Sequence, residues 1–293
     1  MYRPFLLVGL GGSGGKTLRF VKRDLQKRLR AVGWNDGIPE GWQFLHIDTP
    51  TIADGQELND IVAPLDNDEY VGLVGDGVTF RDVANQLDAT PNLASDLVGW
   101  RIDPADLRVP IGVGAGQFRA VGRTVAMVHG REIRNRIRNS FDRISSPGSY
   151  AELGELYQRV TRNSAAAATP SPHVIVVSSL AGGTGAGLLM NVCDLINEIG
   201  ESDGVMAMLY TPEVFGSVSG AGGGVFPNSL AAISEVLNGY WWHGDNNGLE
   251  DTVVRPRNNT DLVQAGAASP LSSGGPNYPF LIGLRNAEGA SFG

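Results

Sequence analysis

The chain has 293 residues, of which 42% are hydrophobic and 18% charged, so it can bury a sizeable core and is too apolar to be disordered throughout. Its formal charge of −8 at pH 7 argues against a general nucleic-acid-binding protein. The single cysteine, Cys193, excludes an internal disulfide, favours a reducing compartment and is expected to be a small core residue. No apolar run reaches transmembrane length. We therefore predict a cytoplasmic protein with no membrane segment and no nucleic-acid partner.

A strand, a glycine loop and a helix follow one another near the N-terminus. Residues 5–8 form an apolar run of strand type, too short for a signal-peptide core, and the sequence GLGGSGGKT follows at residues 9–17. Leucine and valine then recur at helical spacing. Glycine leaves backbone N–H groups open to an anion, and Lys16 is placed to reach a phosphate. An exposed lysine without a ligand is the alternative interpretation of Lys16.

Two known glycine-rich motifs are candidates for this first loop, and neither identifies it by itself. Gly9, Gly11 and Gly14 satisfy G-x-G-x-x-G, which by itself is a weak signal for dinucleotide binding. A Walker P-loop would need glycine where Leu10 stands, so its register fails by one residue. A Walker-type ATPase is therefore a weak alternative.

Residues 44–49 predict a second strand, which ends in Asp48 and Thr49. Ligands of doubly wound sheets gather beyond the carboxyl ends of the strands, so both side chains are placed to face a nucleotide. Asp48 is a candidate to hold Mg²⁺ through water or to bond a ribose hydroxyl, and a turn-capping aspartate is the alternative. His46 alternates with apolar neighbours and is predicted to be packed.

A third glycine-rich segment follows a long uninformative stretch. Residues 51–110 are acidic and interrupted by proline and glycine, and they predict only short helices such as 79–87. The sequence VPIGVGAGQF at residues 109–118 then opens a helix with valine at helical spacing. Arg123 lies near the start of that helix, where it either meets a phosphate or is a surface arginine.

The glycine loop with the strongest signal comes later in the chain. The apolar run at residues 173–177 predicts a strand, AGGTGAG follows at residues 181–187, and a helix with a broad apolar face comes next. Consecutive backbone N–H groups and the positive end of the helix dipole together suit a phosphate. A flexible glycine turn is the alternative interpretation.

The remaining elements repeat the alternation of strand and helix. Residues 205–210 predict a strand that Glu213 follows, and Asn228 lies near the start of a helix that continues to about residue 237. Residues 279–284 predict a last strand. Glu213 and Asn228 therefore lie near a strand end and a helix start, where ligands gather.

In this order the elements resemble the tubulin/FtsZ superfamily, and in particular the divergent bacterial tubulin-like proteins. Residues 182–187 are similar to the tubulin signature loop around the α- and β-phosphates of GTP. Residues 9–15 resemble the first phosphate loop, 44–49 the FtsZ strand that ends in Asn-Thr-Asp, and 114–116 the γ-phosphate-sensing loop. The resemblance implies an α/β fold with a doubly wound, mostly parallel, Rossmann-like sheet of the tubulin/FtsZ GTPase type.

The resemblance also implies roles for individual residues. Thr184 would bond phosphate, Gly114 to Gly116 would line the γ-phosphate, Glu213 would lie near the ribose, and Asn228 would bond the guanine edge. Lys16 departs from FtsZ proteins, which usually carry an uncharged polar residue there. The predicted nucleotide-binding residues are Gly11, Gly12, Ser13, Lys16, Asp48, Thr49, Gly114, Ala115, Gly116, Arg123, Ala181, Gly182, Gly183, Thr184, Gly185, Ala186, Gly187, Glu213 and Asn228.

The implied function is binding of GTP or GDP with Mg²⁺ by a cytoskeletal protein whose GTPase activity is linked to self-assembly. In tubulins a core helix leads to a loop whose acidic residue completes the neighbouring subunit's site, and neither is found here. We therefore expect residues 1–293 to be a nucleotide-binding domain that ends before the core helix, without a C-terminal domain. A nucleotide-dependent scaffold that does not hydrolyse GTP is one alternative. A dinucleotide-dependent oxidoreductase that uses Gly9, Gly14 and Asp48 is a weaker one.

Overall fold

The structure is a computed structural model that describes residues 1–53, 62–89, 102–107, 110–164, 169–216, 222–241, 274–285 and 288–290. Its strands are β1 Phe5–Leu10, β2 Trp42–Pro50, β3 Tyr70–Val74, β4 His173–Ser179, β5 Val205–Tyr210 and β6 Tyr278–Ile282. Its helices are α1 Gly11–Ala31, α2 Phe80–Asp88, α3 Arg119–Val128, α4 Gly130–Ile144, α5 Pro147–Thr161, α6 Gly183–Ile199 and α7 Val225–Trp241. In these ranges, no helix is long and apolar enough to cross a membrane.

The strands form one six-stranded sheet, in the order β3-β2-β1-β4-β5-β6, and every pair is parallel. Leu10, the last residue of β1, is in register with Ile47 of β2 and with Ser178 of β4. The chain moves outward from β1 in one direction and from β4 in the other, so the strand order reverses between them. In such sheets the crevice at this reversal is where ligands bind, because the two following loops leave it on opposite faces.

Helices cover both faces of the sheet. The side chains of Leu6, Val8 and Leu10 alternate with those of their neighbours and share one buried core with α3, α4 and α6. The opposite face, at Leu7, packs with Leu18 of α1. The central strands are buried on both faces, which requires helices on both sides of the sheet, so the doubly wound α/β fold predicted from the sequence is confirmed.

Helix α6 is the most deeply buried helix of the described chain, because every residue from 183 to 196 is buried. Its glycines let another backbone approach closely. A Cβ atom on Gly187 would lie 2.6 Å from Arg119 O, and one on Gly122 would lie 2.3 Å from Gly183 O. Helices α3 and α6 therefore touch backbone to backbone, which any side chain at these two positions would prevent.

The sequence predicted the bounds of most strands and helices to within a few residues. It also predicted that Cys193 is a small core residue, and Cys193 is buried in α6. Strand β3 was not predicted. It has five residues, and Gly72 within it weakens the apolar pattern. That glycine is required by tertiary contact, because a Cβ atom there would lie 2.3 Å from Pro50 O.

Charged side chains of α1 hold the segment that leads into β3. Arg19, which is buried, donates hydrogen bonds to Val62 O at 2.6 Å and to Ala63 O at 3.0 Å. Lys22 Nζ lies 2.7 Å from Asp66 Oδ2 and 2.6 Å from Glu69 Oε2. Burial acts to lower the pKa of Lys22, but its two carboxylate partners outweigh burial and leave that pKa above its ordinary value. Lys22 therefore stays protonated and positively charged at neutral pH.

Candidate nucleotide-binding site

The first glycine loop and the signature loop meet at the carboxyl ends of β1 and β4. Gly11, the first residue of α1, has φ +66°, a conformation that favours glycine. A Cβ atom on Gly11 would lie 3.0 Å from the amide nitrogen of Gly185 and 3.4 Å from the Cβ atom of Thr184. The start of α1 therefore lies directly against the start of α6, at the crevice where the strand order reverses.

Both helices begin without a capping side chain. The N-cap residues are Leu10 for α1 and Gly182 for α6, and neither side chain accepts a hydrogen bond from the helix. The first turn of a helix has N–H groups that lack intrahelical partners and carries the positive end of the dipole. Two such ends at one place make an environment that favours an anion.

The glycines of the three loops divide into two groups by what surrounds them. Cβ atoms built on Gly12, Gly114 and Gly182 would meet no atom of the described residues within 4 Å. By contrast, a Cβ atom on Gly183 would lie 2.6 Å from Ala115 O, and one on Gly185 would lie 2.6 Å from Ser178 Oγ. The second group fixes the loops against one another, and the first group leaves backbone open on the side where a ligand can approach.

The loop before α3 is attached to the signature loop by backbone. Gly183 N donates a hydrogen bond to Gly116 O at 2.7 Å, and Phe118 N donates to Ala115 O at 3.0 Å. Gly114 and Gly116 both have positive φ, +122° and +55°, so the bend of this loop depends on glycine. The three glycine loops thus form one connected group.

Two buried threonines join β2 to this group. The Oγ1 atoms of Thr49 and Thr184 share a hydrogen bond of 2.7 Å, and the two residues are 0% and 7% exposed. A hydroxyl donates one hydrogen bond and accepts two, so Thr184 keeps two further bonding directions beside the bond to Thr49. Ala186, two residues after Thr184 in α6, is buried in the core.

Asp48 is at the same end of β2 but on the opposite face from Thr49. Its Oδ1 accepts a hydrogen bond from Thr49 N at 2.7 Å, and its Oδ2 lies 3.6 Å from His46 Nε2. Within the described ranges, no group of three His, Cys, Asp or Glu side chains has the spacing of a metal site. Mg²⁺ in nucleotide sites is commonly held by one or two carboxylates together with phosphates and water, so a lone carboxylate at this position fits the ion.

His46 supports the first loop, although the sequence indicated only that it would be packed. Its Nε2 lies 3.1 Å from Gly11 O, within hydrogen-bonding distance. A Cβ atom on Gly15 would overlap the imidazole ring, at 2.1 Å from Cε1. The histidine therefore fixes the start of α1 against β2.

The side chain of Tyr210, at the end of β5, reaches α1. Its hydroxyl shares a hydrogen bond of 2.9 Å with Thr17 Oγ1, and Thr17 also donates to Ser13 O at 2.9 Å. Lys16 is half-buried in the same part of α1. Tyr210 was missed from the sequence, because an aromatic residue at a strand end carries no signal of this contact.

The structure places three of the predicted side chains in hydrogen bonds to other parts of the same chain. Arg123 is buried between α3 and α6, where Nη1 donates a hydrogen bond to Asn191 Oδ1. Glu213 Oε1 accepts a hydrogen bond from Leu284 N at 2.9 Å, just beyond β6. Asn228 Nδ2 donates to backbone carbonyls of two glycine loops. These contacts join residues between 47 and 111 positions apart, which sequence spacing does not reveal.

A family model described as "Tubulin like" matches residues 6–292. The chain belongs to the tubulin-like family. Membership agrees with the predicted tubulin/FtsZ resemblance and favours it over the dinucleotide-dependent oxidoreductase. No curated protein sequence matches the tubulin-like chain significantly.

Solved structures similar to the tubulin-like chain include two CetZ proteins. One is CetZ2 from Haloferax volcanii, in a GTPγS-bound protofilament, which is 16% identical in sequence with a TM-score of 0.33. The match covers 80% of this chain and 57% of the CetZ2 chain. The other is CetZ from Methanosaeta thermophila strain DSM 6194, which is 13% identical with a TM-score of 0.32. The match covers 90% of this chain and 60% of that CetZ chain. The tubulin-like chain thus spans less than two thirds of the length of either CetZ chain.

Proposed function

We propose that the chain is a guanine-nucleotide-binding domain that takes up GTP or GDP together with Mg²⁺. The observation that carries the proposal is the meeting of two helix N-termini, α1 and α6, neither capped by its N-cap side chain, at the point where the strand order reverses. Within the described part of the chain, no atom comes within 4 Å of the Cβ positions of Gly12, Gly114 and Gly182 there. This combination suits a polyphosphate, whose charge is spread over several oxygens.

The proposed contacts follow the three loops. Gly11, Gly12 and Ser13 at the start of α1, and Gly182, Thr184 and Gly185 at the start of α6, would offer backbone N–H groups to the first two phosphates. Ala181 N and Gly183 N donate within the protein, to Ser179 Oγ and Gly116 O, and hold the signature loop in place. Residues 114–116 would lie beside the third. The hydroxyl of Thr184 would use one of its two remaining bonding directions, with Thr49 holding its orientation.

Bound Mg²⁺ would neutralise phosphate charge in this site. Asp48 is the proposed carboxylate for the ion, through water, because it lies at the end of β2 beside Thr49. The N–H group of Thr49 bonds Oδ1 and fixes the direction of the carboxylate.

Nucleotide binding is tested directly by titrating the protein with fluorescently labelled GTP and labelled ATP in the presence of Mg²⁺. We expect GTP to bind at roughly micromolar concentration or better, with ATP weaker. Thr184→Val keeps the shape of the side chain and removes its hydroxyl, so we expect at least about tenfold weaker GTP binding. Absence of binding, or clear preference for ATP, would reject the guanine assignment, and unchanged affinity of Thr184→Val would reject the role given to that hydroxyl.

We also propose that the whole protein self-associates and that any GTP hydrolysis depends on this association. Supporting this, α7 begins beside the candidate site and exposes Phe226 and Leu230, each 71% accessible, along one side. Large apolar side chains grouped on an exposed face mark protein interaction surfaces. Turnover per molecule should therefore rise with protein concentration. Turnover independent of concentration would contradict the link to association, and binding without turnover would favour the non-hydrolysing scaffold.

A further inference from the structure

The amide group of Asn228 bonds two carbonyl oxygens. Its Nδ2 lies 2.7 Å from Gln117 O and 2.9 Å from Ala181 O. A carbonyl oxygen accepts hydrogen bonds and cannot donate them, so the NH₂ end of the amide must face both neighbours. Asn228 is 8% exposed, and burial makes the loss of either bond costly, because water cannot freely replace it.

These two carbonyls belong to two different loops of the candidate site. Ala181 directly precedes Gly182, the N-cap of α6. Gln117 directly follows Gly116, which accepts the hydrogen bond from Gly183 N. The two hydrogen bonds of Asn228 Nδ2, here called the Asn228 clamp, therefore fix the spacing between the loop at 114–117 and the signature loop.

The same junction contains a second link to α7. The Oε1 atom of Gln117 accepts a hydrogen bond from Gly224 N at 3.0 Å. Asn228 N in turn donates to Gly224 O at 2.9 Å, so the segment that carries the clamp is itself held in place. A Cβ atom on Gly224 would lie 2.9 Å from Gln117 Cβ, which shows how closely the two segments pack.

We infer that Asn228 is a positioning residue for polyphosphate binding, which acts by holding the two loops and not by contacting the base. The inference deepens the proposed function and rests on it for the nature of the ligand. If the loops separate, N–H groups of α6 and backbone at 114–116 no longer converge on the same phosphates. Loss of the clamp then weakens binding in proportion to the number of phosphates on the ligand.

The first test measures the clamp without nucleotide. In Asn228→Ala, amide hydrogen exchange should become roughly tenfold faster in peptides covering residues 115–118 and 181–187, because their shared constraint is lost. Exchange in the C-terminal turns of α7 should be unchanged. Ser229→Ala is the matched control, since Ser229 is buried beside Asn228 and its hydroxyl donates to Val225 O within its own helix. Equal exchange in Asn228→Ala and wild type at both loops would overturn the inference.

The second test compares GTP, GMP and ITP as competitors of labelled GTP. For Asn228→Ala we expect at least tenfold weaker GTP binding, less than threefold weaker GMP binding, and an unchanged ratio of GTP to ITP affinity. Equal losses for GTP and GMP, or a changed GTP to ITP ratio, would show base contact and overturn the inference. Unchanged GTP affinity would overturn it as well.

These two measurements separate the inference from the proposed function. If the wild-type protein does not bind GTP, the proposed function fails, and hydrogen exchange still decides whether the clamp holds the loops. If Asn228→Ala does not fold, Gln117→Ala replaces it, because it removes the bond to Gly224 N at the same junction. We then expect the same pattern with smaller changes, and its absence would count against the inference.

Discussion

Gly187→Ala is expected to destabilise the fold by about 3 kcal/mol or more, at the upper end of what overpacking costs. The added methyl group would lie 2.6 Å from Arg119 O and 2.7 Å from Arg123 N, and both are backbone atoms of α3. Backbone within a helix cannot move aside as a flexible side chain can, so α3 and α6 must separate. Because small proteins have roughly 5–15 kcal/mol of stability in total, this loss is large. Urea denaturation followed by circular dichroism measures it.

Gly148→Ala is the matched control for that measurement. Gly148 is an exposed helical glycine of α5, and among the described residues a Cβ atom there would meet only Ser146 Oγ, at 3.8 Å. Alanine in a helix loses less backbone entropy on folding than glycine, so the control should be neutral or more stable by about 0.5–1 kcal/mol. Equal stability of Gly187→Ala and wild type would contradict backbone contact between α3 and α6.

Gly182→Val is expected to abolish nucleotide binding while the protein stays folded. The backbone of Gly182 has φ −82° and ψ 160°, which valine adopts readily, and no atom of the residues that the structure describes lies within 4 Å of its Cβ position. The isopropyl group would occupy the space beside the first N–H groups of α6, where we propose that phosphate lies. Loss of several charge-assisted hydrogen bonds should lower GTP affinity roughly 100-fold or more. Titration with labelled GTP and a thermal denaturation curve together measure this result.

The control for Gly182→Val is Gly148→Val, which adds the same side chain at the other end of the sheet. Helix α5 packs through Leu153 and Leu156 against Trp42, the first residue of β2, whereas the candidate site is at the ends of the strands. Gly148→Val should therefore bind GTP like wild type. Wild-type affinity in Gly182→Val would show that phosphate does not approach this part of the signature loop.

These two glycines of one motif show what sequence pattern conveys and what it omits. Gly182 and Gly187 stand in the same run of small residues, and by pattern both were assigned to phosphate. In the folded chain, Gly182 faces open space and Gly187 faces the backbone of α3. The pattern identified the segment correctly as the start of a helix after a strand, but only the neighbouring helix distinguishes a ligand-facing glycine from a packing glycine.

Polar side chains at strand ends were harder to interpret than the glycine loops. As the sequence predicted, Asn228 lies near the start of a helix and Glu213 lies near the end of a strand. Asn228 Nδ2 donates a hydrogen bond to Ala181 O, and Glu213 Oε1 accepts one from Leu284 N. Arg123 was expected near the start of a helix, and it lies within the contact between α3 and α6. A position in sequence gives the neighbourhood of a residue, whereas its partner depends on which distant segment packs there.

The sequence by itself determined the alternation of strand and helix, the buried α6 and the three glycine loops, because apolar periodicity and glycine content are local properties. It also placed those loops at one edge, since the carboxyl ends of parallel strands share an edge. Only the tertiary structure decided the order β3-β2-β1-β4-β5-β6, which brings Gly11 beside Gly185. It likewise decided the pairing of Thr49 with Thr184 and the Asn228 clamp. These contacts join segments distant in sequence, and they form only when the whole core packs.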